Sequence, residues 1–162
     1  MRNGLNGKNL MSRNSNEKFV LWIDDDGLLL GHPVENLNDL DIKCVVSEDF
    51  DRAVDIIKTK GNQISLILID VMMAPGKCLE EYDCQNGFQS GLRFIDYMAN
   101  ENIARDVKKI IYTNSNTKGP YIPIIRSNNY NENTNLSAIK VIKKGKYKAL
   151  EFAKFISKEI DS

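Results

Sequence analysis

The sequence predicts an α/β domain whose five short parallel strands form one doubly wound sheet, and three observations carry that reading. Short apolar runs alternate along the chain with segments whose apolar residues recur at helical spacing. The run Ser65-Leu-Ile-Leu-Ile69 is almost continuously apolar, as expected of a strand covered by helices on both faces. Strands separated by helices favour parallel pairing through right-handed crossovers. With 162 residues, 42% of them hydrophobic, one core of useful size can form.

The elements follow in order. Residues 1–17, rich in Asn, Gly and Ser, are expected to be a flexible tail, and residues 18–162 a single domain. Phe19-Val-Leu-Trp-Ile23 is the first strand, with Trp22 directed into the core. A short helix lies within residues 28–40 and starts near Pro33, because proline suits a first helical turn. Residues 41–46 form the second strand. Phe50, Ala53, Val54 and Ile57 then draw one apolar helix stripe, which Gly61 ends. The third strand, 65–69, is followed by a loop from Val71 to about Asn86 that contains Pro75, Gly76 and several acids. Phe88, Gly91, Leu92, Ile95 and Ala99 mark the next amphipathic helix. Residues 107–112 form the fourth strand. Residues 114–135, rich in asparagine and holding Pro120 and Pro123, leave little room for a regular helix. A strand over 138–142 and a helix carrying Ala149, Phe152, Ala153, Ile156 and Ile160 close the chain. Five such units suit a flavodoxin-like sheet of order 2-1-3-4-5 with an atypical fourth-helix region.

Composition excludes some functions. Twenty-two basic residues balance twenty-two acidic ones, so net charge steers the chain to neither nucleic acid nor a membrane surface. No apolar run is long enough for a bilayer, and the N-terminus has no apolar signal core, so a cytoplasmic protein is expected. Cys44, Cys78 and Cys84 are odd in number and form no CxxC pair, which suggests reduced thiols. Five lysines crowd residues 140–148, and most read as a solvated strand end and helix start.

The chemistry lies at the strand ends. Asp24, Asp25 and Asp26 close the first strand, and three adjacent carboxylates exceed what a helix cap requires. Crowded like charges are costly to desolvate unless a cation sits among them, and a hard divalent ion with oxygen ligands is the usual answer. The third strand also ends in a carboxylate, Asp70, the fourth in a hydroxyl, Thr113, and the fifth in Lys143. In the 2-1-3-4-5 order, strands 1 and 3 are neighbours and ligands bind at their carboxyl ends, so these groups would converge at one crevice.

These residues resemble a response regulator receiver domain over roughly residues 18–160. The resemblance rests on Ile23-Asp24-Asp25, Leu68-Ile69-Asp70-Val71-Met72-Met73, Tyr112-Thr113-Asn114 and Val141-Ile142-Lys143, in that order. It implies that Asp70 accepts a phosphoryl group. Asp24 and Asp25 would hold Mg²⁺ together with the Asp70 carboxylate and the backbone carbonyl of Met72. Lys143 would pair with the acyl phosphate and Thr113 would hydrogen-bond a phosphoryl oxygen. The implied partners are a histidine kinase or phosphotransfer protein upstream and a protein target downstream, since the chain ends soon after its last helix. Such a domain phosphorylates and dephosphorylates itself and is not a turnover enzyme.

Departures from the family pattern are visible. A proline usually follows the lysine, but here Lys144 and Gly145 do. The register is therefore open between Lys143 and Lys144, and hydrophobic alternation favours Lys143. Where many relatives carry an aromatic residue three before the lysine, this chain has Lys140. The loop after Asp70 resembles a subset carrying DxMMxPG and an acidic insertion. Two other readings stand beside this one. Asp24-Asp25-Asp26-Gly27-Leu28-Leu29 resembles the opening motif of haloacid-dehalogenase-like phosphatases, although the late acidic pair those enzymes need is missing. A pseudo-receiver would keep the fold only as a protein-interaction module.

Overall fold

The computed structural model describes residues 17–114 and 139–162. In chain order its elements are β1 (Phe19–Ile23), α1 (Gly31–Asn38) after a 3₁₀ turn at Gly27–Leu30, β2 (Cys44–Ser47), α2 (Phe50–Lys60) and β3 (Ile64–Ile69). These are followed by α3 (Ser90–Asn100), β4 (Lys108–Thr113), β5 (Lys140–Lys143) and α4 (Ala149–Ile160). The strands form one sheet in the order β2-β1-β3-β4-β5, with every neighbouring pair parallel. This is the expected doubly wound topology.

Alternation along each strand divides the core between two faces. Leu21, Ile23, Ile67, Ile69 and Ile111 pack with Phe50, Ala53, Val54 and Ile57 of α2 and with Leu92, Phe94, Ile95 and Met98 of α3. Val20, Trp22, Leu66, Leu68, Ile110, Tyr112 and Ile142 pack on the other side with Leu37 of α1 and with Phe152, Ala153 and Ile156 of α4. Trp22 is fully buried, as expected, with ring centroids 5.5 Å from Tyr112 and 5.4 Å from Phe152. Glu159, near the end of α4, is buried where Lys140 of β5 and Lys108 of β4 both pair with it, which ties the last helix to the last two strands.

Local chemistry explains the boundaries. Asp49 caps α2 by accepting the Arg52 N–H at 2.7 Å. The second strand starts at Cys44 and not at residue 41, because Asp41 has φ 57°, outside any strand conformation. The first helix begins at Gly31, before the expected start, and keeps Pro33 in its first turn, where no N–H is needed. The third helix begins at Ser90, so Phe88 stays in the preceding loop with 59% of its surface exposed. The expectations for the tail, apart from Glu17, and for the atypical fourth-helix region lie outside the described residues. Among the described residues no helix is long and apolar enough to cross a membrane.

Candidate functional site

Strand register sets the site. Ile23 of β1 is level with Ile69 of β3, so the next residues, Asp24 and Asp70, leave the sheet side by side. Their backbones are held as extensions of the ladder: the Asp70 N–H donates to the Ile23 carbonyl at 2.9 Å, and the Asp24 N–H to the Ser47 carbonyl at 3.0 Å. Asp24 is fully buried and Asp70 retains 6% of its surface. Two carboxylates in so little water demand a cation.

Lys144 supplies one. Its Nζ lies 2.7 Å from Asp24 Oδ2 and 2.7 Å from Asp70 Oδ2, so one ammonium bridges both acids. Burial alone would lower the Lys144 ammonium, but the hydrogen bonds and charges of Asp24 and Asp70 outweigh that effect and raise it. Burial raises the Asp24 carboxyl above its ordinary value and Asp70 adds to the rise, with Lys144 offsetting only part of it. The opposite oxygens are held by backbone: Asp70 Oδ1 accepts from the Val71 N–H at 2.7 Å, and Asp24 Oδ1 from the Asp26 N–H at 3.1 Å.

Lys143, favoured from sequence, is not the lysine that reaches the acids. It is the last residue of β5, paired in register with Thr113, and its side chain is exposed. Ile142 belongs to the core face shared by Trp22, Leu68 and Tyr112. Asp24, Asp70 and Lys144 each stand two residues beyond a member of that face, whereas Lys143 falls on the opposite parity. Counting from Ile142 along the pleat would have selected Lys144. With Lys144 as reference, the position three residues earlier is Val141, so no aromatic group stands there either.

The remaining candidates are placed as follows. Asp25 is exposed at the rim, and one carboxylate oxygen from each of Asp24, Asp25 and Asp70 can be chosen so that all lie within 4.8 Å of one another. Asp26 contributes its backbone N–H and makes no side-chain cap to the following turn. Thr113 is fully buried at the end of β4, two residues beyond the one level with Ile69, and its carbonyl accepts the Lys144 N–H at 2.9 Å. The Met72 N–H reaches Asp70 Oδ1 at 3.4 Å, while its side chain is 42% exposed. Met73, by contrast, is buried. His32, the only histidine in the sequence, is exposed on α1 and lies 3.4 Å from Glu35, away from the strand ends that carry these groups.

The donor set suits a small, hard cation. It consists of carboxylate oxygens, one of them on a fully buried residue, Asp24, whose Oδ2 is paired with Lys144 at 2.7 Å. Sequence reading missed a further anchor of the site's loop. Asp51 of α2 accepts the N–H groups of Lys77 and Cys78 at 2.9 and 2.8 Å, pinning the segment after Asp70. No short-range pattern signals this contact, because 26 residues separate the partners.

No protein-family model matches the sequence, and no curated protein matches it significantly. Solved structures do match. A response regulator receiver protein from Pseudomonas putida superposes with a TM-score of 0.63 at 15% identity, covering 88% of this chain and 97% of that one. A response regulator from Thermotoga maritima gives 0.60 at 15% identity, covering 90% and 99%. A CheY-like response regulator receiver domain protein from Methanospirillum hungatei gives 0.57 at 15%, covering 90% and 94%. The chain has the receiver-domain fold. At these identities the likeness concerns architecture, and the receiver fold by itself assigns no chemistry to the acids at its strand ends.

Proposed function

We propose that this chain is a phosphoacceptor receiver domain in two-component phosphorelay signalling, with Asp70 as the acceptor. The observation that carries the reading is the convergence of Asp24, Asp25 and Asp70 within 4.8 Å, with Lys144 bridging two of them. A carboxylate is a poor nucleophile towards a phosphoryl group because two anions must approach, so the site has to supply positive charge. Lys144 supplies part of it from this chain. Asp24, Asp25, the Asp70 carboxylate and the Met72 carbonyl would hold Mg²⁺, which when bound neutralises charge on the phosphoryl oxygens.

In the proposed transfer an Asp70 carboxylate oxygen forms the new bond to phosphorus. The bond to the donor atom breaks, and the electron pair leaves with the donor: the imidazole nitrogen of a phosphohistidine on a kinase or phosphotransfer protein, or acetate from acetyl phosphate. Lys144 then exchanges Asp70 Oδ2 for a phosphoryl oxygen, and the Thr113 hydroxyl donates to another. The new charge biases the loops after β3 and β4 and passes the event to a downstream protein.

The test is labelling with acetyl phosphate in Mg²⁺. Wild-type protein should acquire acid-stable, alkali-labile phosphate, and Asp70→Asn should acquire none. Equal labelling of the variant would refute the assignment. The phosphatase reading gives Asp70 no role, and the acid stands at 2.7 Å from the same lysine as Asp24, so the receiver reading is preferred.

A further inference from the structure

The first turn of α3 is pressed against the peptide that joins Asp70 to Val71. The Gly91 N–H donates to the Val71 carbonyl at 3.0 Å. A Cβ at position 91 would lie 2.1 Å from the Asp70 carbonyl oxygen, 2.8 Å from Val71 Cα and 2.9 Å from the Asp70 carbonyl carbon. Any side chain at this position meets backbone, not a flexible neighbour that could swing aside. Glycine is required here for space.

That peptide also orients the acceptor. Its carbonyl faces Gly91, and its N–H, from Val71, donates to Asp70 Oδ1 at 2.7 Å. Moving the peptide therefore moves the donor that aims the carboxylate. The helix has little freedom to retreat. Phe94 is fully buried with its ring centroid 4.7 Å from that of Phe50, and Leu92, Ile95 and Met98 are buried beside it. The start of the turn is tied to the preceding loop, with the Gln89 N–H donating to Cys84 at 3.0 Å and the Ser90 hydroxyl to Gly87 at 3.3 Å.

We propose that Gly91 is a positioning residue for Asp70: the bare first turn of α3 is a rigid backstop that fixes the 70–71 peptide and, through the Val71 N–H, the direction of the acceptor carboxylate. The inference rests on Asp70 being the phosphoacceptor. In Gly91→Ala the contact with the Asp70 carbonyl must open by about 1 Å, and a displacement of that size at a reacting group costs on the order of 100-fold in rate. An added methyl that overlaps backbone also costs stability, so the labelling rate is read on the folded protein alone.

The experiment compares wild type, Gly91→Ala and Gly61→Ala under saturating acetyl phosphate and Mg²⁺, at a temperature where urea titration shows each protein folded. Gly61 has nothing within 4 Å of an added Cβ and serves as the control. The expected result is a labelling rate about 100-fold lower for Gly91→Ala and an unchanged rate for Gly61→Ala. A merely structural glycine would lower the melting temperature and leave the folded protein's labelling rate within about twofold of wild type, which would overturn the proposal. If wild type takes up no label, the phosphoacceptor reading itself fails. Should Gly91→Ala not fold, amide spectra of wild type decide. The Gly91 N–H, held on the Val71 carbonyl, should exchange as slowly as the buried residues of α3, and exchange as fast as in the loop before it would overturn the backstop.

Discussion

Replacing Lys144 by methionine keeps the bulk of the side chain and removes an ammonium that lies 2.7 Å from both Asp24 and Asp70. The two acids would then share a nearly dry site, with side chains 0% and 9% exposed. Removing one partner of a buried ion pair typically costs about 3–5 kcal/mol. Lys144 keeps 15% of its side-chain exposure, so water already screens part of the interaction, and about 2–3 kcal/mol is the expected loss. For a chain of this size that corresponds to a fall in melting temperature of about 5–10 °C. Lys143→Met is the matched control, because that exposed residue touches neither acid, and its effect should stay within about 0.5 kcal/mol. The assay is urea unfolding in chelator-treated buffer, followed through Trp22, the only tryptophan in the chain. The sign of the pH response adds a second check. Burial already raises the Asp24 carboxyl, and losing Lys144 raises it further. The cost of the substitution should therefore shrink on acidification, as Asp24 takes up a proton, and grow as pH rises through the raised value. Equal destabilisation by the two lysine substitutions, or none by Lys144→Met, would refute the electrostatic account of the site.

Two further predictions concern the frame around it. Burial alone would raise the Glu159 carboxyl, but Lys140 and Lys108 outweigh it and hold the group below its ordinary 4.5. A depressed folded value means stability that is present above 4.5 and is lost as pH falls through the folded value. Glu159→Gln should lose stability at neutral pH and flatten the acid limb of a stability-against-pH curve, and an unchanged limb would contradict the clamp. Asp51, held low chiefly by the Lys77 N–H and then by that of Cys78, anchors the loop after Asp70. Asp51→Ala should cost about 1 kcal/mol and speed amide exchange at Lys77 and Cys78 selectively. Exchange as slow as in wild type would show that the loop is held by other contacts.

Much of this protein can be read without coordinates. Strands 1 and 3 declare themselves as apolar runs that stop at carboxylates, because a buried strand tolerates charge only where it leaves the sheet. From that alone Asp24, Asp25 and Asp70 can be gathered into one site once the strand order is inferred. Local pattern was less able to place boundaries set by a single backbone conformation, such as the left-handed Asp41 that delays β2 to Cys44. It also could not reveal that an aspartate in α2 holds the amides of a loop 26 residues away.

The choice between Lys143 and Lys144 marks the division most clearly. Sequence by itself placed Lys143 and Lys144 after the last strand, at the end of the sheet where the acids gather, and its hydrophobic alternation favoured Lys143. Which lysine faces them depends on pairing across β1, β3, β4 and β5, because successive residues of a strand point to opposite sides of the sheet. Only the assembled register put Ile142 on the core face of Trp22 and Leu68 and sent Lys144, two residues on, to Asp24 and Asp70. The seat of Gly91 on the Asp70 peptide was decided in the same way, by how closely a helix and a strand end approach once both are packed.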